Sequence, residues 1–336
     1  MAERDAEIAR FLDANGWAEA TRTPLAGDAS FRRYIRLTDG TRRAMLMDGP
    51  PPQEDVRSWI TVAEHLGGLG FSAPRVFAAD AGAGLAVIED FGDDTYTRLL
   101  DGGADESALL ALAVDVLIAL HRLPRERAIP PSLPPYDDRR LFEEAGLLVE
   151  WYAPAVMAEL PEAAASGYFD LWRQLLPVAR AVPETLVLRD FHVDNLMGLA
   201  GREGIEACGL LDFQDAVSGP VSYDLISLLE DARRDFQPGL ADEMMARYLA
   251  AFPDLDRGAF AASAAILAAQ RNAKIIGIFT RLAVRDGKPA YLVHIPRVWR
   301  FLEGDLAHPV LAPMHDWFAE HFPADARRIP DVEARR

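Results

Sequence analysis

The hydrophobic pattern of this chain changes once, at residues 89–94 (EDFGDD), and that change limits what the chain can fold into. Ahead of it, apolar residues mostly recur at every second position, as strands require; beyond it they recur at helical spacing. FRRYIRL at 31–37 alternates, with Phe31, Ile35 and Leu37 on one side, and TDG at 38–40 predicts a hairpin turn that returns the chain through RRAMLM at 42–47. PRVFAAD (74–80) and GLAVIED (84–90) predict two further strands around the turn AGAG. Helices are expected over 3–15, with Ile8, Phe11 and Leu12 on one face, and over 54–66. After the change, helices are expected over 106–122, 139–152, 166–179, 222–234, 240–251, 258–284 and 290–303. Only TLVLRD, LMGLA and EACGLLDF interrupt them as strands. The expectation is an α+β chain with a small β-rich N-terminal lobe over 1–89, a hinge at 90–95 and a large helical C-terminal lobe over 96–336.

Charge narrows the partners. The 336 residues hold 52 Asp and Glu against 35 Lys and Arg, a formal net charge of −17. Such a surface repels phosphate backbones and anionic headgroups, so neither nucleic acid nor membrane is an expected partner. Any phosphate handled here has to meet local positive charge or a metal ion. Lys274 and Lys288 are the only lysines, so arginine supplies nearly all of that charge. Cys208 is the only cysteine, which excludes an intrachain disulfide and a cysteine zinc site. Its setting in EACGLLDF predicts a buried strand residue rather than a nucleophile. The opening MAERDAEIARFLDANGW has no apolar signal core, and the most apolar helical stretch, 106–123, carries Asp115. No membrane span is expected, and a cytoplasmic protein is.

Two short apolar runs end in acid. LRDFHVDNLM (188–197) carries Asp190, His192, Asp194 and Asn195. LLDFQDAVSGPVSYDL (210–225) carries Asp212, Asp215 and Asp224, with Asp212 standing 212 − 190 = 22 positions after Asp190. Asp190 follows one predicted strand, Asn195 precedes the next and Asp212 ends the third, so all three side chains can turn toward one point. A carboxylate and an amide oxygen are the hard ligands that Mg2+ takes while water and phosphate oxygens fill the rest of its shell. With Asn195 and Asp212 on the metal, Asp190 remains to accept the proton of an acceptor hydroxyl. These are the parts that phosphoryl transfer requires. Asp and Asn are also common in loops because they hydrogen-bond their own backbone. A lone D-x-x-x-x-N says little; the second acid at the end of a buried strand gives the set its specificity. His192 is expected to brace the loop rather than act as base. Asp194 reads equally as a loop cap, Asp215 as a contact to metal-bound phosphate or a cap, and Asp224 as structural.

As a set, these segments resemble the aminoglycoside phosphotransferase and choline kinase superfamily, and LIALHRLP (117–124) and LAVIEDFG (85–92) extend the resemblance over most of the chain. Within that superfamily, LAGDASFRRYIRL, LMDGPP, VLRDFHVDNLM, LLDFQDAVSGP and AAQRNAKIIGIFTRL are similar to the bacterial anomeric sugar kinases. Those phosphorylate N-acetylmuramic acid and N-acetylglucosamine at C1 in peptidoglycan recycling. The resemblance implies a protein-kinase-like two-lobe fold, ATP and Mg2+ as cofactors and a small amino sugar as acceptor. It implies Asp190 as base, Asn195 and Asp212 as metal ligands, and Glu89, Asp90 and Phe91 as the hinge that contacts adenine.

The chain also departs from the pattern. Kinases of this kind place a lysine on the third strand; here that strand is RRAMLMDGP, with Met47 or a neighbour at the position. The turn GDAS (27–30) resembles a shortened phosphate-covering loop, in which the N–H groups of Asp28, Ala29 and Ser30 can meet phosphate oxygens. Arg33 is a candidate cation, on the side of Phe31 and Ile35, while Arg32 shares the side of Tyr34 and Arg36. The alternation leaves open which side lines the site, or whether both arginines are solvated. Glu64 stands where such folds pair an acid with the lysine; an arginine partner and plain exposure both remain open. DFQ replaces D-F-G, and a helix begins by about residue 221, which leaves no room for an activation segment and favours a small-molecule acceptor over a protein. In the helix over 258–284, Gln270, Arg271, Asn272 and Lys274 either brace the core or face the acceptor. Arg271 is a candidate for an acceptor carboxylate or for a structural ion pair. Two alternatives stand beside this reading: a kinase of another small alcohol, such as an aminoglycoside or a choline-like metabolite, and a non-catalytic nucleotide-binding pseudokinase. The joint presence of Asp190, Asn195 and Asp212 argues against the second.

Overall fold

The structure is a computed structural model that describes residues 2–25, 32–157 and 159–331. The chain forms two compact units, Met1–Ala119 with Val193–Ala216, and Leu120–His192 with Val217–Arg336.

The first unit is built on a five-stranded sheet in the order β1-β2-β3-β5-β4, antiparallel throughout. Its strands are β1 (Thr21–Pro24), β2 (Arg33–Asp39), β3 (Arg42–Asp48), β4 (Val76–Asp80) and β5 (Leu85–Ile88). The expected hairpin is present, with Ile35 opposite Leu46 and Leu37 opposite Ala44. Alternation then decides the faces. Leu37, Ala44, Leu46, Leu85 and Val87 pack with Ile8 and Leu12 of helix α1 (Ala2–Ala14) and with Trp17 and Ala20. Tyr34 and Arg36 of β2, and Met45 and Met47 of β3, therefore belong to the other face. Helix α2 (Val56–Gly68) starts where Asp55 accepts the Arg57 N–H, and it buries Val56, Trp59, Val62, Ala63 and Leu66 at helical spacing. α3 (Tyr96–Asp101), α4 (Glu106–His121, whose last two residues belong to the second unit) and the hairpin of β7 (Leu196–Gly198) and β8 (Cys208–Leu210) complete it.

The second unit is mostly helical: α5 (Arg125–Ala128), α6 (Asp138–Leu147), α7 (Ala153–Val156), α8 (Glu162–Ala179), α9 (Tyr223–Leu229), α10 (Leu240–Ala250), α11 (Arg257–Val284), α12 (Ile295–Leu306) and α13 (Ala312–His321). Its one sheet pairs β6 (Glu184–Val187) with β9 (Val217–Pro220). The core gathers Trp172, Tyr168, Tyr152, Trp299, Phe318 and Phe322 around the middle of α11.

Several sequence expectations are corrected. The helix expected over 139–152 ends at Leu147 and continues as a π turn, Leu148–Tyr152. The helix expected over 222–234 stops at Leu229, and the one expected over 290–303 begins only at Ile295, after a 3-10 segment at Pro289–His294. β1 and β9 were not expected. TRTP is exposed along its length and VSGP carries both Gly and Pro, so neither shows the apolar alternation that marks a strand. Their partners make them strands: Thr23 pairs with Arg36, and Leu186 with Ser218. Cys208 is fully buried in β8 as expected, and burial pushes its thiol up to about 12.

Gly277 shows how closely α11 packs. A Cβ there would lie 2.4 Å from the carbonyl carbon and oxygen of Leu147. In an exposed helix, Gly→Ala gains roughly 1 kcal/mol. Here the obstacle is backbone, and Gly277→Ala is expected to lose about 1–3 kcal/mol instead. A urea midpoint unchanged or raised relative to wild type would contradict this packing.

Candidate active site

Within the first unit, the β7–β8 hairpin brings two of the expected residues together. Asn195 precedes β7 and Asp212 follows β8, and the register Leu196 opposite Leu210 puts them at the same end. The Leu211 N–H donates to the Asn195 carbonyl at 3.0 Å, and the Leu210 N–H donates to Ser72 O at 2.7 Å, which fastens the hairpin to the chain after α2. Asp212 has φ +57, a left-handed conformation uncommon for a residue with a side chain. Phe213 behind it is buried and stacks on Trp59 of α2 with ring centroids 5.2 Å apart, so packing holds the turn in place. Asp212 is exposed. Asn195 Nδ2 lies 3.4 Å from Asp212 Oδ2, and Gln214 Nε2 donates to Asp212 Oδ1 at 3.0 Å and to Asp215 Oδ2 at 3.4 Å. Asp194 accepts the Thr97 hydroxyl.

Among the described residues, no group of three or more His, Cys, Asp or Glu is placed to hold a metal ion. The Asn195–Asp212 pair nonetheless fits Mg2+, which needs only one or two protein oxygens when substrate phosphates fill its shell. The two ends of the Asn195 amide are interchangeable by rotation, so either its nitrogen or its oxygen can meet that point.

The segment 89–91 is held by arginines. Asp90 forms an ion pair with Arg36 at 2.7 Å and accepts from Arg36 Nη2 at 3.0 Å and from the Gly92 N–H at 2.9 Å; Arg36 also binds Asp93. That bond, with the Arg36 and Arg98 charges nearby, holds Asp93 below the usual carboxylate range. Glu89 accepts from Arg202 at 2.6 Å and Arg75 at 3.3 Å, and the Arg202 guanidinium stands 5.1 Å from the Phe91 ring centroid. The Glu89 N–H donates to the Arg75 carbonyl at 2.8 Å. Asp28, Ala29 and Ser30 lie outside the described residues. Arg33 reaches Asp48 at 2.5 Å on the α1 face, where Arg4 binds the same buried carboxylate at 2.6 Å. Glu64 is exposed on α2.

Asp190 belongs to the second unit, just beyond β6. The backbone before it is pinned by Asp224: the carboxylate accepts the Leu188 N–H at 2.6 Å and the Arg189 N–H at 2.9 Å. Arg189 has φ +70, and the Ser227 hydroxyl donates to its carbonyl. Its side chain pairs with Glu144 and lies over the Tyr136 ring. Glu144 also accepts from the Tyr136 hydroxyl at 2.5 Å and sits 3.3 Å from Lys274, with Gln270 Nε2 at 3.4 Å. Burial pushes Glu144 up, but the Lys274 and Arg189 charges outweigh it and hold the carboxyl below its ordinary value. Gln270 and Lys274 thus brace the residue before Asp190. Arg271 is buried and donates to the Glu230 carbonyl at 3.2 Å, and Asn272 bridges Glu230 and Asp305. His192 is buried, and burial holds it below the usual histidine range, so it is neutral at neutral pH.

Sequence reasoning missed Glu144, which sits in an ordinary helical pattern with nothing to mark its partners. It left Asp224 as structural, and YDL alone carries no sign that Asp224 would hold the two amides ahead of Asp190.

The sequence profile of the phosphotransferase enzyme family matches residues 21–261. The chain is 38% identical to the N-acetylmuramate/N-acetylglucosamine kinase of Caulobacter vibrioides, covering 97% of this chain and 99% of that protein. It is 35% identical to the protein of the same description from Pseudomonas aeruginosa, covering 94% of each. Among solved structures, a choline/ethanolamine kinase family protein from Mesorhizobium loti aligns with a TM-score of 0.62 at 16% identity, covering 97% of this chain and 98% of that one. An ADP-bound aminoglycoside phosphotransferase aligns at 0.59 and 14% identity, over 89% and 97%. These likenesses identify the fold as the protein-kinase-like fold of the phosphotransferases, with an antiparallel sheet in the N-terminal region and a mostly helical remainder.

Burial raises the Asp224 carboxyl to about 7, against the pull of its two N–H donors. A raised carboxyl favours the fold while protonated, so its contribution is full below about pH 4 and is lost as pH climbs through 7. Over that window, wild type is expected to lose roughly 4 kcal/mol relative to Asp224→Asn, at about 1.4 kcal/mol per unit. Parallel stability curves for the two proteins between pH 4 and 8 would show that Asp224 does not titrate in this way.

Proposed function

The chain belongs to the phosphotransferase enzyme family, and on that premise we propose that it is an ATP-dependent kinase of the anomeric hydroxyl of N-acetylmuramic acid or N-acetylglucosamine. The observation that carries the reading is the 38% identity to a kinase of that description over 97% of this chain. The likeness is to the whole protein and so takes in both units.

In this reading Asp190 is the catalytic base. It orients the sugar C1 hydroxyl toward the γ-phosphate of ATP and accepts its proton. Asn195 and Asp212 would hold Mg2+, which would supply neutralisation of the charge on the phosphates. Gln214 donates to Asp212 Oδ1 and keeps that carboxylate turned toward its task. Asp224, Glu144 and Lys274 act one step back: they fix Leu188 and Arg189, and thereby the backbone on which Asp190 is mounted. An anomeric hydroxyl is more acidic than an ordinary alcohol, so the demand on the base is modest. The transition state of phosphoryl transfer is loose, and positioning with charge neutralisation supplies most of the rate. The backbone of 89–91 is the segment that would meet adenine, and Arg271 with Asp215 remain candidates on the acceptor side.

The test measures ATP consumption with Mg2+ against N-acetylmuramic acid, N-acetylglucosamine, choline and an aminoglycoside. An acid-labile sugar phosphate is expected from the first two. Turnover on choline or the aminoglycoside alone would keep the family and discard the sugar assignment. Asp190→Ala is expected to cut kcat by roughly 100-fold or more with ADP affinity unchanged. Full activity in that variant would remove Asp190 from the mechanism.

A further inference from the structure

Phosphoryl transfer in kinases uses a strand lysine, paired with a helix glutamate, against the nucleotide phosphates. This chain has no lysine before Lys274. On β3, the face away from α1 carries Met45 and Met47, and the Tyr34 hydroxyl donates to Met47 Sδ at 3.8 Å. A thioether therefore occupies that face of the strand, and the cation has to come from elsewhere.

Three arginines of β2 and β3 and one just before β2 are distinguished by their bonds. Arg33 is on the α1 face with Asp48 and Arg4. Arg36 is engaged by Asp90, Asp93 and the Gly92 carbonyl, and so clamps the hinge segment. Arg43 extends 3.9 Å from Asp90 with its side chain mostly in solvent. Arg32, immediately before β2, does something different. Its Nη1 donates to Gln214 Oε1 at 2.8 Å, and its Nε lies 3.1 Å from Glu54 Oε2, with the side chain 8% exposed. Gln214 in turn donates to Asp212 Oδ1 at 3.0 Å. One amide thus separates the guanidinium from the carboxylate assigned to the metal.

We propose that Arg32, held by Glu54 and Gln214, is the cation this chain places against the nucleotide phosphates in the role of the strand lysine. The inference rests on the phosphotransferase reading of the site. Glu54, the residue before the α2 cap Asp55, stands in for the helix glutamate, while Glu64 on the helix itself is exposed. Arginine suits this post because its planar fork carries five N–H donors whose geometry matches phosphate as well as carboxylate. Gln214, at the position of glycine in D-F-G, links the cation to Asp212, so both charges on the phosphates are fixed by one chain of hydrogen bonds. Gly49 supports the same arrangement from below. A Cβ there would lie 3.2 Å from Arg32 Cγ, 3.3 Å from Glu54 Cβ and 3.0 Å from Val56 Cγ1, so the glycine of LMDGPP leaves room for the pair.

The experiment is calorimetric titration of the full chain with ADP and, separately, with adenosine, for wild type, Arg32→Ala, Arg32→Gln and Arg32→Lys. Arg32→Gln keeps a polar side chain beside Glu54 and Gln214 and removes only the charge, which guards against misfolding. Loss of a charged hydrogen bond to phosphate is expected to weaken ADP about tenfold or more in the Ala and Gln variants. Adenosine binding should stay within about twofold, and Arg32→Lys should fall between wild type and Ala. Unchanged ADP affinity in Arg32→Gln overturns the proposal. So does an equal loss for ADP and adenosine, since a merely structural residue would weaken both. Failure of wild type to bind ADP at all would instead overturn the phosphotransferase reading on which the proposal stands.

Discussion

The carboxylate of Asp224 governs the geometry of the segment that carries Asp190. It is buried, it comes from the first turn of α9, and it accepts the two amides at the end of β6. Two hydrogen bonds at 2.6 and 2.9 Å pin the backbone where Arg189 takes φ +70, a conformation that costs of order 1–3 kcal/mol. The cost is met by the surroundings: Glu144, Tyr136, Lys274 and Gln270 hold the Arg189 side chain from the other end. A carboxylate buried with one arginine would be a poor source of stability. Glu144 is instead satisfied by two cations, a phenol and an amide, and the result is a fixed platform for the residue that follows, Asp190.

The first unit solves the matching problem with a neutral residue. Asp212 is exposed, also at positive φ, and its Oδ1 is steadied by the Gln214 amide. Below it, Phe213 on Trp59 turns a sequence step into a rigid one. In both units a strained acidic neighbourhood is positioned by groups that the strain does not reach. Pre-organisation of this kind matters for phosphoryl transfer, where the protein contributes placement and charge more than covalent chemistry.

The arrangement of arginines follows from the near absence of lysine. Arg36, Arg202 and Arg75 tie the segment 89–93 to the sheet and to the β7–β8 hairpin through Asp90, Asp93 and Glu89. Each guanidinium makes directional bonds that an ammonium would not.

The sequence by itself determined the fold class, the hairpin of β2 and β3, the buried state of Cys208 and the pairing of Asn195 with Asp212. Each of these depends on local signals: alternation, a turn at TDG, an apolar run, and an amide and an acid at the ends of adjacent short strands. The tertiary structure decided the rest. β9 is a strand because Val217–Pro220 finds the edge of β6, and nothing in VSGP says so. The choice between Arg32 and Arg33 was open because alternation assigns neighbours to opposite faces without saying which face is which. Packing of Leu37, Ala44 and Leu46 under α1 fixed only the faces, with Arg33 on the α1 side beside Asp48. The partners of Glu144 lie far along the chain on α11, and long-range ion pairs between helices leave no mark in either sequence segment. Local patterns encode which residues can do chemistry; the contacts that hold those residues still come from parts of the chain that only folding brings together.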